Sequence, residues 1–101
     1  ITDWRESPAA PVIEGLIGRG GDVVYHDDYV PEFALGHGAE AARLRSVPLS
    51  YVELAEYDCV LVVTDHSYLD AAQIVAHAKR VVDTRNLIGK AGISSPTVVK
   101  L

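Results

Sequence analysis

The stretch Cys59-Val60-Leu61-Val62-Val63-Thr64 decides the fold that this sequence predicts. It is a continuous apolar run, rich in β-branched side chains and without polar alternation. Such a run is typical of a strand that is covered on both faces, as in parallel sheets. The polar residues Asp65-His66-Ser67 end it. The sequence therefore predicts a buried strand followed by a turn.

A helix and further strands follow this run. The helix begins at Ser67 or Asp70 and continues through Ala78. Residues 80–84 form a second apolar strand, and residues 97–101 alternate weakly and are predicted as a final strand. Strands that are separated by helices of this length predict βαβ crossovers and a mostly parallel sheet.

The chain ahead of this run begins with another helix. Ser7 is a favourable N-cap and Pro8 suits the first helical position. An apolar helical pattern then extends to Gly18, and the pair Gly20-Gly21 is a typical C-terminal cap and turn. The sequence therefore predicts a helix over residues 7–18.

The segments between that helix and Cys59 give weaker patterns. Residues 22–25 are predicted as a short buried strand, and residues 26–38 as a loop. Residues 39–47 are ambiguous, because an alanine-rich start indicates a helix whereas residues 44–47 could form a short edge strand. Ser50 is predicted to cap a helix that continues through residue 56.

Composition limits the class of protein. The chain has 101 residues, enough for one core, and we expect a single domain over residues 1–101. The net charge of −5, with scattered Lys and Arg, argues against a nucleic-acid surface. No apolar run approaches the ~20 residues that cross a bilayer, so no membrane partner is expected. The single cysteine excludes an internal disulfide, and the cytoplasm is the expected compartment.

Polar clusters follow three predicted strands: Tyr25-His26-Asp27-Asp28, Thr64-Asp65-His66-Ser67 and Asp83-Thr84-Arg85-Asn86. Ligands of open parallel α/β sheets bind beyond the carboxyl ends of the strands. If a further strand precedes residue 1, Thr2–Ser7 is a fourth such cluster, and its Arg5 lies just ahead of a helix N-terminus, where anions are favoured. The sequence therefore predicts a ligand site along one edge of the sheet.

A dinucleotide-binding fold is the first chemistry to consider for these clusters. It would use Asp27 or Asp28 to hold a ribose hydroxyl, but the glycine-rich G-x-G-x-x-G turn is missing, and Arg-Glu-Ser-Pro stands where it would lie. An Asx turn explains the two aspartates more simply. Any phosphate at the first cluster would be met by a side chain, such as an arginine.

Catalytic and metal sites are not predicted within this chain. Cys59 lies in, or just ahead of, the buried strand, where a thiol without a cationic neighbour is inert. Asp65-His66-Ser67 has the residue types of a hydrolase triad, but adjacent residues cannot face one another in the required relay. The four histidines have no metal-ligand spacing: His26, His37, His66 and His77.

Four motifs, in order, cover nearly the whole chain: Thr2-Asp3-Trp4-Arg5-Glu6-Ser7-Pro8-Ala9, Tyr25-His26-Asp27 with Tyr29-Val30-Pro31, Thr64-Asp65-His66, and Val82-Asp83-Thr84-Arg85-Asn86. In this combination the chain resembles the C-terminal domain of the nucleotide-sugar dehydrogenases, the UDP-glucose/GDP-mannose dehydrogenase family. These enzymes oxidise the sugar 6-alcohol of UDP- or GDP-sugars to a uronic acid. The opening motif is similar to the segment between the first strand and the first helix of that domain.

The resemblance implies an α/β fold, a Rossmann-like three-layer αβα sandwich with a mostly parallel sheet that lacks its first strand in this chain. In the intact enzyme an N-terminal domain of the same polypeptide binds the cofactor NAD and carries the catalytic cysteine. Central helices build a homodimer or a higher oligomer. The C-terminal domain closes over a UDP-sugar or another NDP-sugar. A chain holding this domain alone would be inactive.

The resemblance also implies two site residues. Arg5 would contact the phosphates of NAD, and Arg85 would contact the nucleotide-sugar. A lysine that the family places just ahead of the opening motif would lie upstream of Ile1. Simpler interpretations exist for both arginines: an exposed Arg5 paired with Asp3 or Glu6, and a salt bridge between Arg85 and Asp83.

Two alternatives for the whole chain remain open at the level of sequence. One is a freestanding regulatory or interaction module with a flavodoxin-like or receiver-like sheet. The other is a small non-catalytic nucleotide-binding domain that serves assembly. A glycine-rich βαβ unit and a distant cysteine encoded upstream would favour the dehydrogenase over both.

Overall fold

The structure of the chain is a computed structural model that describes residues 9–35 and 42–100. The chain divides into two compact units, residues 1–49 and residues 50–101. The first unit combines a helix with an antiparallel strand pair, and the second contains a parallel sheet. The expectation of one domain over the whole chain stays a prediction.

Helix α1 spans Ala9–Gly18 and ends where the sequence predicts. Gly20 adopts a φ of +87°, in the left-handed region that favours glycine. Its N–H donates to the carbonyl of Ile17, and the N–H of Gly21 donates to the carbonyl of Leu16, both at 2.9 Å. This pair of bonds is a Schellman cap. The predicted start of the helix lies outside the described residues.

Strands β1, Glu32–Leu35, and β2, Ala42–Arg45, pair antiparallel in the first unit. The prediction of a loop over residues 26–38 is therefore wrong for β1. The turn-forming residues around β1 favour a loop, and the strand forms because the remote segment β2 pairs with it. The prediction for residues 39–47 was ambiguous between a helix and a strand. In the part of this segment that the structure describes, β2 forms a strand, and it begins slightly earlier than the predicted edge strand.

Residues 22–25 do not form the predicted buried strand. Val24 is 46% exposed. The N–H of Val47 donates to the carbonyl of Tyr25 at 2.9 Å, which is a single bond and not a ladder. A strand requires a neighbouring segment that continues the ladder, so the prediction is wrong for the structure as described.

The second unit contains the predicted parallel sheet, in the order β3-β4-β5 with all strands parallel. Its elements in chain order are β3 (Val60–Val62), α2 (Ala71–His77), β4 (Val81–Asp83), α3 (Leu87–Lys90) and β5 (Val98–Lys100). The predicted α/β class is confirmed, and the unit is consistent with a Rossmann-like αβα domain. Asp70 is the N-cap of α2 and accepts from the N–H of Gln73, which decides between the two predicted starts.

The core of the second unit combines side chains from the sheet and from both helices. Val81 and Ile88 are the most deeply buried hydrophobic residues, 0% and 1% exposed. Burial of an aliphatic side chain of this size contributes about 1.5–3 kcal/mol. The buried cluster consists of Val62, Ala71, Ile74, Ala78, Val81, Leu87 and Ile88. This packing anchors both ends of the segment that joins β4 to α3.

Two local predictions in the second unit are wrong. The helix expected after Ser50 is a short 3-10 helix, Val52–Glu56, whose N-cap is Tyr51 and carries no side-chain cap. Cys59 is exposed rather than buried. The reason is that β3 is shorter than the apolar run. Its ladder begins one residue after Cys59, where the N–H of Val60 donates to the carbonyl of Arg80 at 2.8 Å.

Candidate functional site

The carboxyl ends of β3 and β4 lie side by side, since the strands are parallel and Val62 stands opposite Asp83. The polar clusters 64–67 and 83–86 therefore begin at the same edge of the sheet, as predicted. Thr84 closes this edge: its N–H and its hydroxyl both donate to the carbonyl of Val62, at 3.1 and 2.6 Å. The edge is thus held by backbone and side-chain bonds together.

The carboxylate of Asp83 organises the turn between β4 and α3. Asp83 is 1% exposed. Its Oδ1 accepts from the N–H groups of Arg85 and Leu87, each at 3.1 Å, and its Oδ2 accepts from the N–H of Ile88 at 2.9 Å. A buried carboxylate is tolerated when such donors replace water. Asp83 is therefore a structural residue.

Asn86 completes this turn. It adopts a φ of +57°, a left-handed conformation that asparagine tolerates better than most side chains. Its Oδ1 is buried and has no hydrogen-bond partner in the structure as described. A side chain at position 89 would collide with that oxygen, so Gly89 leaves the space that Asn86 fills. Asn86 is therefore a structural residue of this turn.

Arg85 is the exposed member of the same cluster. The salt bridge to Asp83 considered above is not formed, because the Asp83 carboxylate accepts from backbone N–H groups, including that of Arg85 itself. Within residues 9–35 and 42–100, the guanidinium forms no ion pair with any carboxylate. The turn therefore presents a cation at the carboxyl edge of the sheet.

A second cation, which the sequence did not predict, lies at this edge. Lys90 Nζ donates to Asp65 Oδ2 at 2.6 Å, with side-chain exposures of 58% and 25%. This bond, assisted by the charges of Lys90 and Arg85, holds the pKa of Asp65 below its ordinary value of 3.8. The signal in the sequence was slight, since it consists of a lysine five residues after Arg85 in a four-residue helix.

An open groove of about 610 Å³ has Lys90 in its wall. Its walls come from the segment leading into α2 and from α3, and they include Tyr68, Leu87 and Lys90. Lys90 therefore belongs both to the ion pair and to the wall of a groove with apolar and polar surface. The groove therefore gives a ligand room next to Lys90.

Asp65, His66 and Ser67 do not form a hydrolase relay. The Asp65 carboxylate is engaged with Lys90, and the ring of His66 stacks on Tyr68 with 5.2 Å between centroids and 11° between planes. The segment instead forms a turn, in which the N–H of Leu69 donates to the carbonyl of His66 at 3.1 Å. The prediction that these residues carry no triad agrees with this geometry.

The cluster after residue 25 belongs to the first unit. Asp27 is 7% exposed, and its Oδ1 accepts from the N–H of Tyr29 at 2.8 Å, which is the predicted Asx turn. The hydroxyl of Tyr25 donates to the carbonyl of Val30 at 2.9 Å. Burial, reinforced by the charge of Asp27, raises the pKa of Tyr25 and keeps this donor protonated. That this cluster shares an edge with the other two stays a prediction.

Arg5 lies outside the described residues, together with Asp3, Ser7, Pro8 and His37. Its contact with NAD stays a prediction. Across the two described ranges, no three His, Cys, Asp or Glu side chains meet in a way that could hold a metal ion. None of the helices there has the length and apolar character needed to span a membrane.

The fold and this edge define a class of protein: an α/β domain that presents cationic side chains at the carboxyl edge of a parallel sheet, where ligands of such sheets bind. The model of the UDP-glucose/GDP-mannose dehydrogenase family, UDP binding domain, matches residues 1–90. The match covers most of the chain, so the chain belongs to this dehydrogenase family and comprises its UDP-binding domain. A search of curated proteins and a search of solved structures each found no match to the chain.

Proposed function

We propose that this chain is the nucleotide-sugar-binding domain of an NAD-dependent dehydrogenase. The enzyme oxidises the 6-hydroxyl of a UDP-sugar, or another NDP-sugar, to the uronic acid and so supplies precursors of polysaccharides or glycoconjugates. Membership of the family supports the class of ligand. The observation that carries the proposal is Arg85, an exposed cation without an ion pair among the described residues, on a turn where the side chains of Asp83 and Thr84 form hydrogen bonds within the protein.

Arg85 binds the phosphate or nucleoside portion of the ligand in this proposal. A guanidinium presents a planar fork of N–H donors that matches phosphate oxygens, and such charge-assisted bonds are about twice as strong as neutral ones. The bonds to Asp83 hold the backbone of Arg85 before any ligand arrives. Preorganisation of this kind improves affinity, because less conformational freedom is lost on binding.

NAD is the hydride acceptor of the proposed reaction, and the described residues do not form a cradle for it. The Asp27 carboxylate, the candidate partner for a ribose, is buried in its Asx turn, and the glycine-rich turn is missing from the sequence. Since membership of a dehydrogenase family implies a fused catalytic domain, we assign NAD to an N-terminal domain of the same polypeptide, with Arg5 as the contact from this domain. The full-length protein would be a homodimer or a higher oligomer.

The assignment of Arg85 is tested by calorimetric titration of the full-length protein with UDP, dTDP and GDP. Loss of one charge-assisted contact, about 1.5–3 kcal/mol, should make Arg85→Ala bind its preferred diphosphate about 10- to 100-fold more weakly. Arg80→Ala is the matched control, since Arg80 is exposed and precedes the same strand at its opposite end. Equal affinities of Arg85→Ala and Arg80→Ala would contradict the assignment.

The assignment of Arg5 is tested by steady-state kinetics of the full-length protein. Arg5→Ala should raise the KM for NAD and leave the KM for the nucleotide-sugar nearly unchanged, whereas Arg85→Ala should do the reverse. The separation follows because each arginine meets a different ligand in the proposal. If both constants are unchanged in both variants, the two roles are wrong.

A further inference from the structure

We propose that Lys90 is a second cationic contact for the diphosphate of the nucleotide-sugar, and that Asp65 holds this lysine until the ligand arrives. The inference rests on the proposed function, because it assumes that a nucleoside diphosphate binds at the edge where Arg85 lies. It adds a residue and an exchange of partners to that site. Its basis is the contact of 2.6 Å between Lys90 Nζ and Asp65 Oδ2.

The position of Asp65 supports an exchange. Asp65 follows β3 and Arg85 follows β4, so both stand beyond the carboxyl edge of the same parallel strand pair. The charges of Lys90 and Arg85 both lower the pKa of Asp65, so one carboxylate lies within the field of two cations. A diphosphate carries more negative charge than a carboxylate and offers more acceptor oxygens. It can therefore take the place of Asp65 beside Lys90 while Arg85 binds a neighbouring oxygen.

The exchange requires only a side-chain movement. The backbone of α3 is anchored by Leu87 and Ile88, which are 8% and 1% exposed. The Lys90 side chain is 58% exposed, and lysine carries its charge on a flexible stem with rotatable donors. Ion pairs at this exposure contribute little to stability, because water and salt screen them. Lys90 also lines the groove of about 610 Å³, so its side chain, once released by Asp65, lies next to space that a ligand can occupy.

A structural role for the ion pair makes a different prediction from a ligand role for Lys90. If the pair only positions α3, removal of either partner should weaken ligand binding. If Asp65 competes with the diphosphate for Lys90, removal of the carboxylate should leave binding equal or make it tighter, while removal of the ammonium weakens it. The sign of the effect at Asp65 therefore separates the two roles.

The experiment is calorimetric titration of the full-length protein with UDP, or with dTDP or GDP if one of these is its preferred diphosphate, at low and at moderate salt. We expect Lys90→Ala to bind about tenfold more weakly, in keeping with the loss of one charged contact. Asp65→Asn should bind as well as the wild type or several-fold more tightly. Lys90→Arg should retain most of the affinity, because it keeps the cation. Lys79→Ala is the matched control for charge, since Lys79 is an exposed lysine ahead of β4, at the other end of the strand.

Each outcome decides the inference. Weaker binding by Lys90→Ala, with Asp65→Asn equal or tighter and Lys79→Ala unchanged, supports it. Weaker binding by both Lys90→Ala and Asp65→Asn would show a positioning pair and overturn it. Normal binding by Lys90→Ala together with weak binding by Arg85→Ala would overturn it and leave the proposed function intact. Normal binding by both of these variants would overturn it together with the role of Arg85.

Discussion

Removal of the Asp83 carboxylate should loosen the turn that presents Arg85. The carboxylate accepts three backbone hydrogen bonds, from Arg85, Leu87 and Ile88, and is 1% exposed. Bonds to a charged group contribute about 1.5–3 kcal/mol each, so three independent bonds would give about 4.5–9 kcal/mol. The bonds share one carboxylate and are not additive, and we expect Asp83→Ala to destabilise this segment by about 3–5 kcal/mol.

Asp83→Asn separates charge from shape in the same position. The amide keeps one carbonyl oxygen, which can still accept from Arg85 and Leu87. Its NH₂ group then faces the N–H of Ile88, where two donors meet, and one bond is lost. We expect a destabilisation of about 2 kcal/mol relative to the wild type, which is smaller than that expected for Asp83→Ala.

The measurement is hydrogen exchange of the Leu87 and Ile88 amides in the full-length protein, which reports local opening of this segment. A loss of 3 kcal/mol or more should accelerate exchange by about a hundredfold or more, provided that exchange follows the opening equilibrium. Asp58→Ala is the control, since Asp58 is exposed and lies in a bend of the same unit. If Asp83→Ala and Asp58→Ala exchange at the same rate, the structural role of Asp83 is refuted.

Two further predictions concern packing and pH. Gly89→Ala should destabilise the second unit by about 1–3 kcal/mol, because the new methyl group meets Asn86 Oδ1, and Asn86→Gly should relieve the clash in the double variant. Gly15→Ala, in an open position of α1, should instead stabilise by about 0.5–1 kcal/mol, and thermal unfolding of the three variants checks both signs. The pKa of Asp65 is lowered in the folded protein, so its contribution to stability is present above its ordinary value of 3.8 and is lost as the pH falls through the lowered pKa. Lys90→Ala should return that pKa toward 3.8 in a carboxyl NMR titration, and an unchanged titration curve would contradict the contact.

Neighbouring residues of the last motif, residues 82–86, have different roles in the structure. Asp83 and Thr84 are engaged with the backbone of the turn and of the adjacent strand, and Asn86 fills the space beside Gly89. Arg85 lies between them and remains exposed. A ligand-binding arginine gains from such a setting, because its backbone is fixed while its side chain is available.

The second unit was more predictable from sequence than the first. The apolar run that contains β3 and the Asp70 cap of α2 are local signals, and the structure has both elements. β1 was missed, because a short strand among turn-forming residues depends on pairing with β2, which no local pattern reveals. The predicted strand at 22–25 is absent because pairing also decides the opposite case: its residues are apolar, but they form no ladder of hydrogen bonds with a neighbouring strand among the described residues.

The candidate site was predicted in part. The rule that ligands meet parallel sheets at the carboxyl ends of strands predicted the edge at which Arg85 lies, whereas the choice of Arg85 as a contact came from the resemblance and stays a prediction. Lys90 and its contact with Asp65 were not found, because the two residues are 25 positions apart and meet only when α3 has packed onto the core.

Apolar periodicity and helix caps predict an α/β protein with a mostly parallel sheet, because adjacent residues carry these signals, and the order of the four motifs makes the chain resemble the nucleotide-sugar dehydrogenases. The tertiary structure decides what each polar residue at the edge does. The Asp83 carboxylate accepts hydrogen bonds from three backbone N–H groups and is therefore not available to a ligand. Arg85 is left exposed, and Asp65 forms an ion pair with Lys90. Such assignments depend on distances between segments that are remote in the chain, and these distances exist only after the core has formed.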